Sequence, residues 1–173
     1  MASMVRIETV LDSWKTVRDD TALAVEEFPA SELDFRPVPD LATFGEIARH
    51  ILDAGHALTG LMLDGVTNLQ VPEFREMLKK YISPDANKTA GELVSGLRSA
   101  AAERVSQLAA MPPEFFSEII TRFDGMKVTR LEMLQFVKEH ELTHRSQLFL
   151  YMRLKGLVPP TTRRRQAKQG AQK

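Results

Sequence analysis

The 173-residue sequence contains no cysteine. This absence excludes disulfides, thiolate metal ligands and a cysteine nucleophile, and it suits a reducing cytoplasm. The chain also lacks an uninterrupted apolar run of the ~20 residues that a membrane-spanning helix needs. The opening residues MASMVRIETV contain no basic region followed by an apolar run, so no signal peptide is expected. A cytoplasmic protein is predicted, and any thiol chemistry requires a thiol from outside the chain.

The formal net charge of the chain is zero, because 23 basic residues balance 23 acidic ones. Five of the basic residues follow Pro160, which leaves a net charge of −5 on the preceding body. Such a body does not favour nucleic-acid binding. Residues 1–160 are long enough for one domain with its own core, and residues 161–173 lack apolar periodicity and are predicted to be a disordered tail. The basic run of the tail is typical of a solvated chain end, with RNA or membrane contact as the alternative.

The sequence does contain strong helical periodicity. Four long segments repeat apolar residues at a spacing near 3.6, and the first of them extends from Ile7 to Phe28. No strand pattern repeats along the chain. The prediction is therefore all-α, a four-helix bundle with long connections after the first three helices. Each of the other three helices begins at a capping box, a threonine followed three residues later by a glutamate: Thr43 with Glu46, Thr89 with Glu92, and Thr129 with Glu132.

The connections carry local signals of their own. Pro72 suits the first turn of a short helix that carries Phe74 and caps the bundle, with a lid as the alternative role. A turn is predicted at residues 83–88. Around Asp124-Gly125, β-branched and aromatic residues favour a small hairpin or an extended loop. Gly156 can supply the left-handed residue that ends the last long helix.

Two histidines lie four residues apart in the last long helix. At that spacing their Cβ atoms are about 5–6 Å apart, so His140 and His144 can share one ion. They fill the gap between Val137 and Leu148 in the apolar stripe. The alternative for such a pair is one hydrogen-bonded core histidine and one solvent-facing histidine. His50 lies on the apolar stripe of the second helix, and three imidazoles suit zinc, nickel, copper or iron with positions open for water or substrate, although chance placement is the competing interpretation.

Three segments resemble the DinB-like superfamily, which includes the YfiT-type proteins. They are TFGEIARH ending at His50, HELTHRSQ beginning at His140, and YMRLKG ending at Gly156 before two prolines. The resemblance follows helix order over most of residues 7–160. Members commonly have histidine where Thr143 stands and glycine where Ser146 stands; both departures leave the three histidines in place.

The resemblance implies a divalent ion, zinc, nickel, manganese or iron, bound by His50, His140 and His144 near one end of the bundle. It also implies a homodimer. Characterised relatives transfer small thiols such as bacillithiol to electrophiles or isomerise substrates with mycothiol, and many others have no known reaction. The implied function is metal-dependent transfer of a low-molecular-weight thiol to an electrophilic substrate. The alternatives are a metal-dependent hydrolase, a non-catalytic metal-binding stress protein, and a purely structural bundle whose basic tail binds a partner.

Further polar residues are candidates for supporting roles around the histidines, and no catalytic residue is assigned. In metal-bound imidazoles, the N–H of the second ring nitrogen usually donates a hydrogen bond to a fixed acceptor. The carboxylates one turn from His50, Glu46 and Asp53, are candidates for contacts of this kind, with helix capping and solvent exposure as their alternatives. Gln147, one turn after His144, is a candidate to point toward the open site. Arg145 and Arg153 are candidates to bind an anionic thiol or substrate, with helix-dipole or surface ion pairing as the alternative. Tyr151 is a candidate donor to a ligand, with core packing as the alternative.

Overall fold

The computed structural model describes residues 6–82 and 88–170. Most of these residues are helical, and the only strands among them form one short hairpin, which confirms the predicted fold class. In chain order the elements are α1 (Ile7–Glu27), α2 (Phe44–Leu63), α3 (Phe74–Lys79), α4 (Ala90–Ala109), α5 (Pro113–Ser117), β1 (Ile119–Thr121), β2 (Lys127–Thr129), α6 (Arg130–Leu154) and α7 (Pro160–Gly170), with a 3₁₀ turn at Ala30–Glu32.

The four long helices α1, α2, α4 and α6 form the predicted bundle. Helix α1 packs against α4 and α6, and α2 packs against the same two helices. Helices α1 and α2 therefore lie at diagonal corners, and α2 and α6 are neighbours. Within residues 6–82 and 88–170, no helix has the length and apolar character needed to cross a membrane.

All three predicted capping boxes are present. At α2 the Thr43 hydroxyl accepts from the Glu46 backbone N–H at 3.1 Å, and the Glu46 carboxylate accepts from the Thr43 N–H at 2.7 Å. The same reciprocal pair opens α4 and α6. These bonds satisfy first-turn N–H groups that have no partner inside the helix. At the other end of α6, Gly156 has a φ of +76°, the left-handed conformation that the sequence predicts there.

Two apolar clusters make up the core. One contains Phe28 and Phe44, whose rings stack with centroids 3.7 Å apart, and the other surrounds Trp14. Along α6, Val137 belongs to the Trp14 cluster, whereas Leu148 belongs to the Phe28 cluster. The residues of α6 between them therefore lie at the level where the two clusters meet.

A hairpin of β1 and β2 precedes α6, as the Asp124-Gly125 pattern predicts. The strands are antiparallel, with Ile120 opposite Val128. Residues 67–69 run along the other edge of β1, where the Thr121 N–H donates to the Thr67 carbonyl at 2.7 Å and the Leu69 N–H donates to the Thr121 carbonyl at 2.8 Å. The hairpin is thereby tied to the segment before α3. The turn predicted at residues 83–88 lies outside the described residues except for Lys88.

The basic C-terminal segment is a helix where the sequence predicts disorder. Helix α7 packs against α1 and extends to Gly170, whereas residues 171–173 and the first five residues of the predicted domain lie outside the described part. Arg164 donates to both carboxylate oxygens of the buried Asp20, at 2.5 and 2.7 Å, and Arg163 pairs with Glu27. These partners are on α1, so the segment's own composition contains no sign of them.

Candidate metal centre

The structure brings His50, His140 and His144 together on the α2–α6 face. One ring nitrogen from each residue can be chosen so that all three lie within 4.8 Å of one another. The Nε2 atoms of His50 and His140 are 3.0 Å apart, and the ring centroids are separated by 4.5–4.8 Å. The cluster joins the pair predicted within one helix to the histidine predicted from another.

The position of the cluster differs in two respects from the sequence prediction. His50 is exposed and the other two histidines are half-buried, so none of the three belongs to the core. The gap in the α6 stripe is filled by Glu141, which is only 2% exposed. His140 and His144 lie on either side of the middle of α6, so the cluster is on the side of the bundle rather than near its end.

Desolvation by the surrounding protein lowers the pKa of His50 and His140, which favours the neutral form of these two imidazoles. Burial, with a smaller contribution from the nearby His144, lowers the pKa of His50. Burial, followed by the effects of His144 and His50, lowers the pKa of His140 to about 4. A neutral imidazole has the free lone pair that metal coordination requires.

Gln147 contacts the third imidazole. The His144 Nδ1 lies 2.8 Å from the Gln147 Oε1 atom. A proton on Nδ1 donates to this oxygen, which leaves Nε2 unprotonated. Outer contacts of this kind fix the tautomer and the ring direction of metal-binding histidines.

The donor set fits a divalent ion of the kind that imidazoles bind. Two nitrogens at about 2.0–2.1 Å from a tetrahedral zinc lie roughly 3.3 Å from each other. The 3.0 Å separation of the His50 and His140 nitrogens is close to this value, and a ring nitrogen of His144 lies within 4.8 Å of a ring nitrogen of each of the other two histidines. Three neutral nitrogen ligands leave at least one coordination position for water or substrate.

A buried polar network lies behind the histidines, and the sequence analysis missed it. Glu141 accepts hydrogen bonds from the Trp14 indole at 2.9 Å, the Arg18 guanidinium at 2.8 Å and the Thr21 hydroxyl at 3.0 Å. Gly55 makes room for it, since a Cβ there would lie 2.7 Å from an Arg18 nitrogen. The sequence does contain a signal for this network. Glu141 on α6 and Arg18 on α1 occupy positions at which the helical period predicts apolar residues.

The two carboxylates near His50 have different surroundings. Glu46 is engaged by Thr43 in the capping box, whose hydrogen bonds lower the pKa of this carboxyl. Asp53 is half-buried one turn after His50, and burial raises its pKa while the Arg49 charge opposes that shift. The role of Asp53 as an acceptor for the His50 ring stays a prediction.

The other polar candidates have structural partners. Arg145 donates to Asp20 at 3.4 Å and lies over the Phe149 ring, and Arg153 donates to the Thr162 hydroxyl at 2.9 Å. The Tyr151 hydroxyl donates to a backbone carbonyl of the loop before α2 at 2.9 Å. These contacts correspond to the packing and surface alternatives rather than to substrate binding.

Comparison with known proteins supplies the fold relatives. The DinB-like protein YjoA of Bacillus subtilis is 21% identical with a TM-score of 0.69, and the alignment covers 87% of this chain and 94% of YjoA. YfiT of Bacillus subtilis, described as a probable metal-dependent hydrolase with an unusual four-helix bundle topology, is 15% identical with a TM-score of 0.62, covering 91% and 93% of the two chains. A mycothiol-dependent maleylpyruvate isomerase is 14% identical with a TM-score of 0.55, covering 83% of this chain and 61% of the isomerase.

At sequence identities of 14–21%, the structural similarity to these three proteins shows a shared fold. No curated protein matches the chain. The sequence profile of the DinB superfamily matches residues 13–148, a segment that contains all three clustered histidines. Since the match extends over most of the sequence, the chain belongs to the DinB superfamily.

Proposed function

We propose that this protein binds a divalent metal ion through His50, His140 and His144 and transfers a low-molecular-weight thiol to an electrophilic substrate. The observation that carries the proposal is the convergence of three imidazole nitrogens, within 4.8 Å, from two neighbouring helices. The descriptions of YfiT as a probable metal-dependent hydrolase and of another relative as mycothiol-dependent support it by analogy.

The chain's own residues prepare the site for this chemistry. Desolvation lowers the pKa of His50 and His140, which favours their neutral forms, and Gln147 favours the His144 tautomer whose Nε2 is free. A divalent ion supplies Lewis acidity that lowers the pKa of a thiol or water bound to it. Because the chain has no cysteine, the thiol comes from solution.

The overall transfer balances as a displacement. The thiol sulfur forms a bond to the electrophilic carbon, the leaving group departs with the electron pair of its former bond, and the thiol proton passes to solvent. The metal-dependent hydrolase is the second candidate, because water activated at the same position attacks a substrate in the same way. YfiT's description favours this alternative. A non-catalytic metal-binding stress protein would bind the ion without turnover.

The first experiment is the metal content of tag-free protein by elemental analysis, after incubation with zinc, nickel, manganese or iron. We expect about one ion per chain in the wild type and loss of that ion in His50→Ala and His144→Ala. His56→Ala is the matched control, because His56 is the histidine outside the cluster. A wild type that takes up none of the four metals would contradict the proposal.

Turnover is then measured by pairing metal-loaded protein with L-cysteine or bacillithiol and an electrophile. Activity that requires both metal and thiol supports the transferase, whereas ester or amide cleavage without thiol supports the hydrolase.

A homodimer in the cytoplasm is part of the proposal from the family resemblance. Size-exclusion chromatography with light scattering tests the dimer, and a monomeric mass at working concentration would contradict it.

A further inference from the structure

Three phenyl rings lead away from the histidine cluster. Phe136 lies one turn before His140, with ring centroids 6.1 Å apart. Phe123, in the turn between β1 and β2, is 5.7 Å from Phe136 and edge-on to it. Phe74, at the start of α3, stacks on Phe123 at 5.5 Å with an interplanar angle of 22°. We call Phe136, Phe123 and Phe74 the aromatic row; it begins beside a proposed metal ligand.

The aromatic row is accessible from solvent. Phe123 is 38% exposed, and Met126, in the same turn, is 55% exposed. A cleft of 270 Å³ lies between residues 69–72 and the rings of Phe74 and Phe123. Aromatic side chains are common in the walls of small-molecule sites, and two phenyl rings line this cleft.

The turn that carries Phe123 is held in place. The Arg122 N–H donates to the Met126 carbonyl at 2.8 Å, closing the turn. Gly125 has a φ of +85°, and a Cβ there would lie 2.8 Å from the Gln70 amide nitrogen. The turn thus rests directly on the segment before α3. A ring fixed in this way loses little conformational freedom when a ligand binds.

The charge beside the aromatic row is compensated. The Arg122 guanidinium lies 4.8 Å from the Phe136 ring centroid, and its Nε donates to Asp124 at 2.9 Å. This pairing lowers the pKa of Asp124 to about 2, so the carboxylate is ionised at neutral pH and balances the arginine. A compensated ion pair beside the row favours an uncharged ring over a substrate carboxylate as its ligand.

We propose that the aromatic row binds the uncharged aryl body of the electrophilic substrate and directs its reacting carbon toward the histidine cluster. This inference rests on the proposed function and narrows its substrate class to neutral aryl electrophiles. With an aryl chloride, the thiol sulfur bonds to the ring carbon, chloride leaves with the C–Cl electron pair, and the thiol proton passes to solvent. Aromatic pairs prefer offset or edge-on arrangements at 4.5–7 Å, the range found within the row.

Binding is tested first without metal, so that the result does not depend on catalysis. The full chain, labelled at its methionine methyl groups, is titrated with the unreactive probe 1,3-dinitrobenzene and followed by NMR. We expect a saturable shift of the Met126 resonance, assigned with Met126→Leu. The Phe123→Ala variant should bind roughly five- to tenfold more weakly, the loss of one aromatic pair.

The matched control is Ile119→Ala, on the same hairpin. Ile119 is 56% exposed and pairs with Thr129 at the far end of β1 from Phe123. This variant should bind the probe as the wild type does. Absence of a saturable shift at Met126, or equal loss of affinity in the two variants, would overturn the proposed aryl site.

The second measurement uses zinc-loaded protein, L-cysteine and two electrophiles, 1-chloro-2,4-dinitrobenzene and iodoacetamide. We expect Phe123→Ala to lower the ratio of kcat/KM for the aryl chloride to that for iodoacetamide by roughly five- to tenfold. Binding of the probe without any turnover would leave the aryl site standing and count against the proposed function. Turnover of both electrophiles with an unchanged ratio of kcat/KM would support the proposed function and overturn the aryl site.

Discussion

At the scale of single residues, Gln147 has the most direct influence on the proposed metal ligands. Its Oε1 atom lies 2.8 Å from the His144 Nδ1, and this contact selects the tautomer with Nε2 free. We expect Gln147→Leu to weaken zinc binding by about 10–100-fold, the usual cost of removing such a partner. Competition with a chromophoric chelator measures the change.

Ser146→Ala is the control for that experiment. Ser146 precedes Gln147 on α6, is exposed, and donates to the backbone carbonyl of Leu142, at 2.8 Å. Its zinc affinity should match the wild type. Equal affinity in Gln147→Leu would mean that the ring of His144 is oriented by other contacts.

Glu141 matters for stability rather than for the metal. It is 2% exposed and pairs with Arg18, itself 1% exposed, at 2.8 Å. Removing one member of a buried pair leaves the other charge without compensation, which costs about 3–5 kcal/mol. We therefore expect Glu141→Ala to lower the free energy of unfolding by about that amount in urea titrations. Glu139→Ala, an exposed change on the same helix, should alter it by less than about 0.5 kcal/mol.

The α6 stripe explains what could be predicted from the sequence at this scale. The spacing of His140 and His144 correctly placed their rings together, because that contact is local to one helix. The same spacing did not reveal that Glu141, between them, faces the core, since a carboxylate is stable there only with the partners that α1 contributes. Those partners are more than a hundred residues away in sequence.

At the scale of elements, local signals predicted helix starts well but missed two helices, α5 and α7. The three capping boxes were correct because both partners of each lie within four residues. Helix α7 could not be predicted in this way. Its arginines have carboxylate partners on α1, and no apolar period marks its packed face.

The dependence of α7 on these ion pairs is testable. Arg164 donates two hydrogen bonds to Asp20, whose own side chain is 3% exposed. We expect Arg164→Ala to make α7 open more readily, by about 1 kcal/mol, because the partner is buried although the arginine is not. Hydrogen exchange followed by mass spectrometry should show faster exchange in residues 160–170 and unchanged exchange in the middle of α1.

Arg165→Ala is the neighbouring control on α7. Arg165 is exposed, and its replacement should leave the exchange of residues 160–170 unchanged. If both variants exchange alike, α7 is held by its backbone and by Pro160, which is buried, rather than by Asp20.

At the scale of the whole molecule, histidines connect α2 to both of its neighbours. The cluster lies between α2 and α6, while His56 faces α4, where Arg104 Nη2 lies 3.1 Å from the His56 Nε2. The Arg104 Nε also donates to the His56 carbonyl, at 3.2 Å, and the ring packs edge-on against Tyr81 at 5.8 Å. Neutral His56 accepts from the guanidinium; a protonated ring has no lone pair to offer it.

The pH dependence of stability follows from this contact. Burial, and then the charges of Arg104 and Arg18, lower the pKa of His56, while Glu103 opposes them. The unfolded chain therefore binds a proton first as the pH falls below about 6.5, and the free energy of unfolding decreases from there through the folded-state pKa. Above that pH range His56 is neutral in both the folded and the unfolded state, and its contribution to the free energy of unfolding is fully present.

We expect metal-free wild type to lose more stability between about pH 7 and 5 than His56→Gln, measured by urea unfolding at each pH. The lowered pKa values of His50 and His140 act in the same direction. They act in both proteins, however, so the difference in slope isolates His56. Parallel profiles would mean that Arg104 and the ring separate before His56 titrates. A steeper profile for the variant would contradict the predicted sign.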